Sequence, residues 1–182
     1  AHTNQTLFEA LAEAHAERDT GKPAVEDPLG TSLGYRKLIA GAQVLARKLE
    51  GEIGAKAAVG DAVGVMLPNT AGVAVTFFAL QSMGRVPAML NFTAGPANVR
   101  SACEAAQVRV VLTSRAFVEK ARLEPVVAAV AEDAEILYLE DVRAKVAFGD
   151  KVRGFLDGTR PRTARSEIGR ASGRERGEVS GV

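Results

Sequence analysis

Residues 60–92 read GDAVGVMLPNTAGVAVTFFALQSMGRVPAMLNF and predict a strand, a crossover helix and a second strand. The first strand is the apolar run Val63–Leu67, and the second covers Pro87–Phe92. Between them, Thr70–Met83 is apolar nearly all round, as in a buried helix. Strands this uniformly apolar are typical of parallel sheets covered on both faces, and parallel neighbours are joined by a right-handed crossover. The segment therefore predicts an α/β fold, without indicating any particular chemistry.

The two ends of the predicted helix carry recognisable signals. Asn69 is expected to act as N-cap, because its side chain can accept a hydrogen bond from a free amide. Gly84 can adopt the left-handed conformation that often ends a helix. The apolar run Ala71–Gly84 is shorter than the roughly 20 residues that a membrane span requires. It also contains Gln81, so we predict a core helix and no transmembrane span.

The rest of the chain repeats the alternation of strands and helices. Thr6 and Glu9 have the spacing of a capping box, which marks the start of a first helix. Apolar periodicity predicts further helices beginning near Tyr35, Pro96, Phe117 and Pro125, and strands at 109–112 and 136–139. This order predicts an open, mostly parallel, doubly wound sheet with helices on both faces.

In such sheets, ligands bind beyond the carboxyl ends of the strands. Asn91, Thr93 and Ser114 lie at or just beyond the carboxyl ends of predicted strands, and we therefore expect them to be substrate-edge residues. Glu140 and Asp141 end the last strand and could bind a metal ion. Neighbouring residues on a strand point in opposite directions, however, so we expect these two to be solvated loop acids.

Bulk composition excludes several classes of partner. The net charge of +1 does not favour nucleic acid or an anionic membrane surface. The single cysteine, Cys103, excludes an internal disulfide and is typical of a reducing compartment, so we predict a cytoplasmic protein. Cys103 shares an apolar helical stripe with Val99, which predicts a core residue rather than a nucleophile. The sequence begins AHTNQ, without an initiator Met, so we expect it to start within a longer protein.

The sequence contains no glycine-rich phosphate loop after a strand. The patterns GxGxxG, GxxxxGK[ST], HExxH and CxxC are all absent. From the residues alone, the prediction is an α/β domain of unassigned function. A self-contained domain that binds a small ligand, or an interaction module without catalysis, is therefore an alternative to any enzyme.

Three segments resemble a known family: GYRKLIAGAQVLARKLEG, residues 60–92, and NVRSACEAAQVRVVLTSRAFVEKARL. Their order resembles the N-terminal part of the adenylate-forming enzymes, the AMP-binding superfamily of acyl-CoA synthetases and ligases. SLGYRKL looks like the early "TYxEL" segment of these enzymes. Within the superfamily, MLNFTAG and YLEDVRA are most similar to the acyl-[acyl-carrier-protein] synthetase domain of bacterial bifunctional 2-acylglycerophosphoethanolamine acyltransferases.

The resemblance implies a two-step ligase as the parent protein. A fatty acid is activated with ATP and Mg²⁺ as an acyl-adenylate. The acyl group then passes to acyl carrier protein or CoA, and onward to a lysophospholipid at the cytoplasmic face of the bacterial inner membrane. The family's phosphate loop, which ends in Pro-Lys-Gly, is expected shortly after DKVRGFL and is absent here. No catalytic, cofactor-binding or metal-binding residue can therefore be carried over, and we expect the isolated chain to be inactive.

The resemblance divides the chain into two parts. Residues 1–162 are expected to be a partial N-terminal subdomain of an AMP-binding enzyme. Residues 163–182 form a polar, glycine-rich tail whose composition predicts disorder. The tail has arginines but no aromatic residues for stacking on bases, which argues against RNA binding. The segment from Ser166, SEIGRASGRERGEVSGV, also resembles the translated read-through of a sequencing adapter.

Overall fold

The computed structural model describes residues 6–18 and 22–144 of the 182-residue chain. Strands and helices alternate through most of this part. The strands are β1 Val25–Glu26, β2 Ser32–Leu33, β3 Ala62–Val65, β4 Val86–Met89, β5 Val110–Thr113 and β6 Glu135–Tyr138. The helices are α1 Leu7–Arg18, α2 Tyr35–Ile53, α3 Ala71–Ser82, α4 Pro96–Ala105, α5 Arg115–Ala121, α6 Glu124–Val130 and α7 Leu139–Ala144, with a 3-10 turn at Phe92–Ala94.

Four strands form one parallel sheet in the order β4-β3-β5-β6, and β1 and β2 form a separate antiparallel hairpin. The parallel register pairs Val63 with Pro87 and Val65 with Leu112. One hydrophobic core lies between the sheet and helices α1, α2, α3 and α7, and a second lies against α4, α5 and α6. The predicted α/β sheet with helices on both faces is therefore confirmed.

The β3–α3–β4 unit confirms the strand, helix and strand predicted for residues 60–92. Both strands are shorter than predicted: β3 ends at Val65 and β4 ends at Met89, and Phe92 belongs to the 3-10 turn. Gly84 has φ +71° and ends α3 in the left-handed conformation, as expected. Among the described residues, no helix is both long and apolar enough to cross a membrane.

The prediction that Asn69 caps α3 is wrong. Asn69 is exposed, and the N-cap residue is Thr70, which makes no side-chain hydrogen bond to the helix. The amide of Ala71 instead donates to Oδ2 of Asp27 at 3.0 Å. Asp27 lies in the hairpin, 44 residues earlier in the chain, so the local sequence around Asn69 could not reveal it.

Two other local predictions are confirmed. The amides of Thr6 and Glu9 donate reciprocally to the side chains of Glu9 and Thr6, at 2.8 and 3.1 Å, which forms the capping box of α1. Cys103 is only 3% exposed and lies in the second core. Its burial raises the pKa of the thiol, as expected of an unreactive core cysteine. The proposed boundary at residue 162 and the tail at 163–182 lie outside the described residues.

Candidate functional site

A cavity of about 130 Å³ opens at the carboxyl edge of the sheet. It lies where β3, β5 and β6 end, which is the position at which open α/β sheets bind ligands. One wall is the turn from β3 into α3, and the other walls come from the starts of α5 and α7. The lining residues are Leu67, Pro68, Thr70, Gly72, Val73, Ser114, Leu139, Glu140 and Arg143.

Ser114 lies in this cavity, but its hydroxyl is engaged in holding two helices. Its Oγ accepts a hydrogen bond from the amide of Phe117 at 3.3 Å, as the N-cap of α5. The same hydroxyl donates to Oε1 of Glu140 at 2.7 Å. Ser114 therefore ties the β5–α5 turn to the start of α7, and its role as a substrate-edge residue stays a prediction.

Glu140 is ionised at this position. Partial burial opposes its charge, but the hydrogen bond from Ser114 and the proximity of backbone amides, including those of Arg115 and Ala116, outweigh burial. They hold the pKa of Glu140 below its usual value. The positive end of a helix favours a carboxylate in the same way. Glu140 thus supplies a fixed negative charge to the cavity.

The prediction of a loop at Glu140 and Asp141 is wrong, because α7 begins directly after β6, but Asp141 is solvated as expected, with 51% of its side chain exposed. Both carboxylates lie in the first turn of α7. Asp141 accepts two hydrogen bonds from Arg115, each 2.7 Å long. Within residues 6–18 and 22–144, no group of three or more His, Cys, Asp or Glu side chains could hold a metal ion.

Asn91 and Thr93 lie outside the cavity, beyond the end of β4. Oδ1 of Asn91 accepts from the amide of Thr93 at 3.2 Å and from its hydroxyl at 2.7 Å, which caps the 3-10 turn. Between them, Phe92 packs edge-to-face on Phe117, with ring centroids 4.9 Å apart. The structure therefore brings Ser114 alone of the three predicted residues into the cavity. The substrate roles of Asn91 and Thr93 stay predictions.

Sequence reasoning missed Arg143, the cation among the residues that line the cavity. Its Nη2 lies 3.7 Å from the point where a Cβ on Gly72 would be, so the guanidinium reaches the first turn of α3. A basic residue in the last turn of a helix interacts favourably with the negative end of that helix. The sequence did not predict a helix over residues 139–144, so this signal could not be recognised from the sequence alone.

Residues 30–34, GTSLG, have the spacing of the nucleophile elbow GxSxG, in which the serine sits on a sharp turn between strand and helix. Ser32 instead lies within β2, paired with Glu26 of β1. The hairpin strand therefore holds the serine away from the turn at Gly34. The spacing does not form a nucleophile site here.

A second cavity, of about 360 Å³, lies at the C-terminal end of α4. It includes Cys103, whose thiol is unreactive, and Arg100, which pairs with Glu132 and Asp133. Val108 and Arg109 precede β5, so this cavity borders the amino end of a strand. That position is opposite to the edge at which ligands bind in such sheets.

Comparison with known proteins agrees with this architecture. Residues 12–163 match the family described as AMP-binding enzyme. The fold is similar to that of VinN in complex with 3-methylaspartate, at 20% identity and a TM-score of 0.65, over 88% of this chain and 40% of VinN.

Two further solved structures share the fold. The N-terminal subdomain of NpsA from Klebsiella oxytoca is 14% identical, with a TM-score of 0.63, over 79% of this chain and 33% of that one. The anthranilate CoA ligase AuaEII in complex with anthranoyl-AMP is 18% identical, with a TM-score of 0.60, over 82% and 27%. The chain thus spans less than half the length of the structures it matches. Because the family match covers most of its length, the chain belongs to the AMP-binding enzyme family.

Proposed function

We propose that this chain is the N-terminal part of an ATP-dependent ligase that activates a carboxylic acid as its adenylate. The observation that carries the proposal is the family match over residues 12–163. In such a reaction, a carboxylate oxygen attacks the α-phosphorus of ATP and pyrophosphate leaves. A thiol then attacks the acyl carbonyl carbon and AMP leaves.

The segments MLNFTAG and YLEDVRA resemble the acyl-[acyl-carrier-protein] synthetase branch of the family, and this resemblance supports a more specific assignment. The acid would be a fatty acid, and the thiol would belong to acyl carrier protein or CoA. A lysophospholipid would be the final acceptor, at the cytoplasmic face of the bacterial inner membrane. The similar structures of VinN and AuaEII are complexes with 3-methylaspartate and anthranoyl-AMP, so the class of acid is the first property to test.

The described residues do not fit ATP and Mg²⁺, the groups that AMP-binding enzymes use. The carboxyl-edge cavity measures about 130 Å³, whereas ligand pockets usually occupy roughly 300–1,000 Å³. In the described part of the chain, no cluster of acidic or histidine side chains is suited to a metal ion. We therefore assign no chemical step to any described residue, and propose that they support the reactive groups.

Acid-dependent exchange between ATP and pyrophosphate tests the proposal. We expect no exchange above background with the 182-residue chain, because it lacks the family's phosphate loop. The full-length protein encoded at the same locus should catalyse exchange with long-chain fatty acids. Aryl acids and amino acids, tested in the same exchange assay, serve as the comparison with fatty acids. Exchange by the isolated chain would contradict the assignment of the chemistry to residues outside it.

Thioester formation by the same full-length protein tests the second step. Acyl carrier protein and CoA are offered separately with the best acid, and the thioesters are identified by mass. Transfer to a lysophospholipid follows if the protein is bifunctional. If the full-length protein binds small acids but forms no adenylate, the alternative of a binding domain without catalysis would be favoured instead.

A further inference from the structure

The turn between β1 and β2 is organised by one carboxylate. Oδ1 of Asp27 accepts hydrogen bonds from the amides of Leu29 at 3.0 Å and Thr31 at 2.9 Å. Oδ2 accepts from the amide of Ala71 at 3.0 Å. Among hydrogen bonds between described residues, this last one alone connects residues 22–33 to another element. One side chain thus both folds the hairpin turn and attaches it to α3.

The start of α3 depends on this contact. The first amides of a helix have no partner within the helix. Thr70, at the N-cap, makes no side-chain hydrogen bond, and Asn69 is exposed. The helix AGVAVTFFALQS carries no charged side chain of its own. A negative carboxylate at the positive end of a helix is favourable, so Asp27 supplies what the local sequence lacks.

The segment that Asp27 holds is a wall of the carboxyl-edge cavity. Five of the nine lining residues lie between positions 67 and 73, on both sides of Ala71. Asp27 itself does not line the cavity. We propose that Asp27 is a positioning residue of this cavity: through the Ala71 amide it fixes the β3–α3 turn, and so places the Thr70 side chain and the Gly72 backbone. The inference concerns the shape of the cavity, and holds independently of which reaction the parent protein catalyses.

The hairpin has a second attachment, which makes the proposal testable. Ala24 and Val25 pack against the core that contains α2 and α3. Removal of the carboxylate should therefore leave the hairpin docked and the sheet folded. The expected effect is local, at the start of α3.

Hydrogen bonds from backbone amides, rather than neighbouring charges, set the pH dependence of Asp27. Glu26 precedes it in the hairpin, α3 contributes no charge, and Glu140 and Arg143 of α7 face the same turn across the cavity. Hydrogen bonds from backbone amides hold the pKa of Asp27 below its usual value of 3.8. The bond from Ala71 has the largest effect, and the bond from Thr31 has the next largest. The attachment is therefore complete above about pH 4 and is lost as the pH falls through the lower pKa of the folded state.

Amide hydrogen exchange, followed by NMR on the 182-residue chain, tests the proposal. We expect Asp27→Ala to speed exchange at Ala71 about tenfold, with smaller changes at Gly72 and Val73, because local opening no longer breaks a hydrogen bond. Asp27→Asn keeps one neutral acceptor and should lie between this variant and the original chain. The matched control is Glu26→Gln, which removes the neighbouring carboxylate and should leave Ala71 unchanged.

A pH titration gives a readout that loss of stability alone would not produce. The Ala71 amide resonance of the original chain should shift with a midpoint below 3.8, and Asp27→Asn should abolish that shift. Faster exchange at Leu29 and Thr31 with unchanged exchange at Ala71 would overturn the proposal, because Asp27 would then organise only its own turn. If Asp27→Ala does not fold, the titration and the Asp27→Asn variant decide the question. Neither measurement requires ATP, so failure here is distinct from failure of the adenylation proposal.

Discussion

Arg85 is a buried cation that joins three parts of the fold. Its side chain is 6% exposed. Nε donates to the carbonyl of Ala57 at 3.1 Å, and Nη1 donates to the carbonyl of Met83 at 2.7 Å. Nη2 reaches Oε1 of Glu50 on α2 at 3.0 Å. The guanidinium therefore satisfies two backbone carbonyls and, through its charge, one partly exposed carboxylate.

Replacement of Arg85 by Met should lower the free energy of unfolding by about 2–4 kcal/mol, because it leaves the two carbonyls without a donor. Urea denaturation measures the change. Glu50→Gln is the matched control, since the Glu50 side chain is 52% exposed. The Glu50 end of this ion pair is in solvent, so Glu50→Gln should cost less than Arg85→Met, although the buried Arg85 then loses the charge of its partner. Equal losses in the two variants would show that the ion pair, and not the carbonyl contacts, is the important interaction.

The contact between Glu140 and Ser114 makes stability depend on pH. The pKa of Glu140 is below its usual 4.5, so the contact stabilises the fold fully above that pH. The contribution is lost as the pH falls through the lower pKa of the folded state. At pH 7, Glu140→Gln should cost about 1 kcal/mol, after allowance for solvent screening.

Denaturation curves should be recorded at successively lower pH below 4.5. The difference in free energy of unfolding between Glu140→Gln and the original chain should shrink over that range. Ser114→Ala removes the same hydrogen bond, so the double variant should be less destabilised than the sum of the two single variants. If this difference in free energy stayed constant down to pH 3, ionisation of Glu140 would not be the source of the stabilisation.

At the scale of elements, β3 packs closely against its neighbours because Gly64 has no side chain. A Cβ at this position would lie 2.8 Å from Cγ2 of Val111 and 3.1 Å from Cδ1 of Leu90. Gly64 does not have a positive φ. The requirement for glycine is therefore one of space, at the centre of the sheet.

Gly64→Ala should destabilise the chain by about 1–3 kcal/mol, because the added methyl group overpacks the core. Gly51→Ala provides a control of opposite sign. Gly51 is exposed within α2 and has no atom within 4 Å of an added Cβ. The Gly51→Ala substitution should therefore stabilise the helix by roughly 0.5–1 kcal/mol. Thermal melting compares the two, and a stable Gly64→Ala variant would show that Val111 can move aside.

Sequence reasoning succeeded for elements whose signals are local. The capping box at Thr6 follows from residues three positions apart, and it is present. It failed at Asn69 because the side chain that accepts from the first amide of α3, that of Asp27, is distant in sequence. It failed at Glu140 because nothing in the local pattern showed that a helix would begin directly after β6.

For the whole molecule, the sequence predicted the edge of the sheet at which the cavity lies, but not which strand ends meet there. Ser114 ends a central strand, and therefore reaches the cavity. Asn91 and Thr93 follow β4, which is the outermost strand on its side among the described residues. Strand order depends on contacts between distant segments, and a periodic pattern within one segment does not contain it.

The position of β4 also affects how separate molecules of this chain meet. Val86 and Leu90 donate their amides to the carbonyls of Asp61 and Val65. The alternate positions, 87 and 89, therefore direct their backbone groups away from the sheet. Val86 and Met89 are 51% and 55% exposed. Such an apolar border could pair with a strand from another copy.

Pro87 works against such pairing, since proline has no amide hydrogen to donate from that border. We expect Pro87→Val to self-associate more strongly than the original chain as concentration rises, as measured by sedimentation velocity. Adding Met89→Lys to that variant should restore the monomer, because a charge on a border strand discourages pairing. If Pro87→Val sediments like the original chain, a feature of this border other than Pro87 prevents pairing between copies. We therefore expect Pro87, the first residue of the second predicted strand, also to hinder pairing between separate molecules.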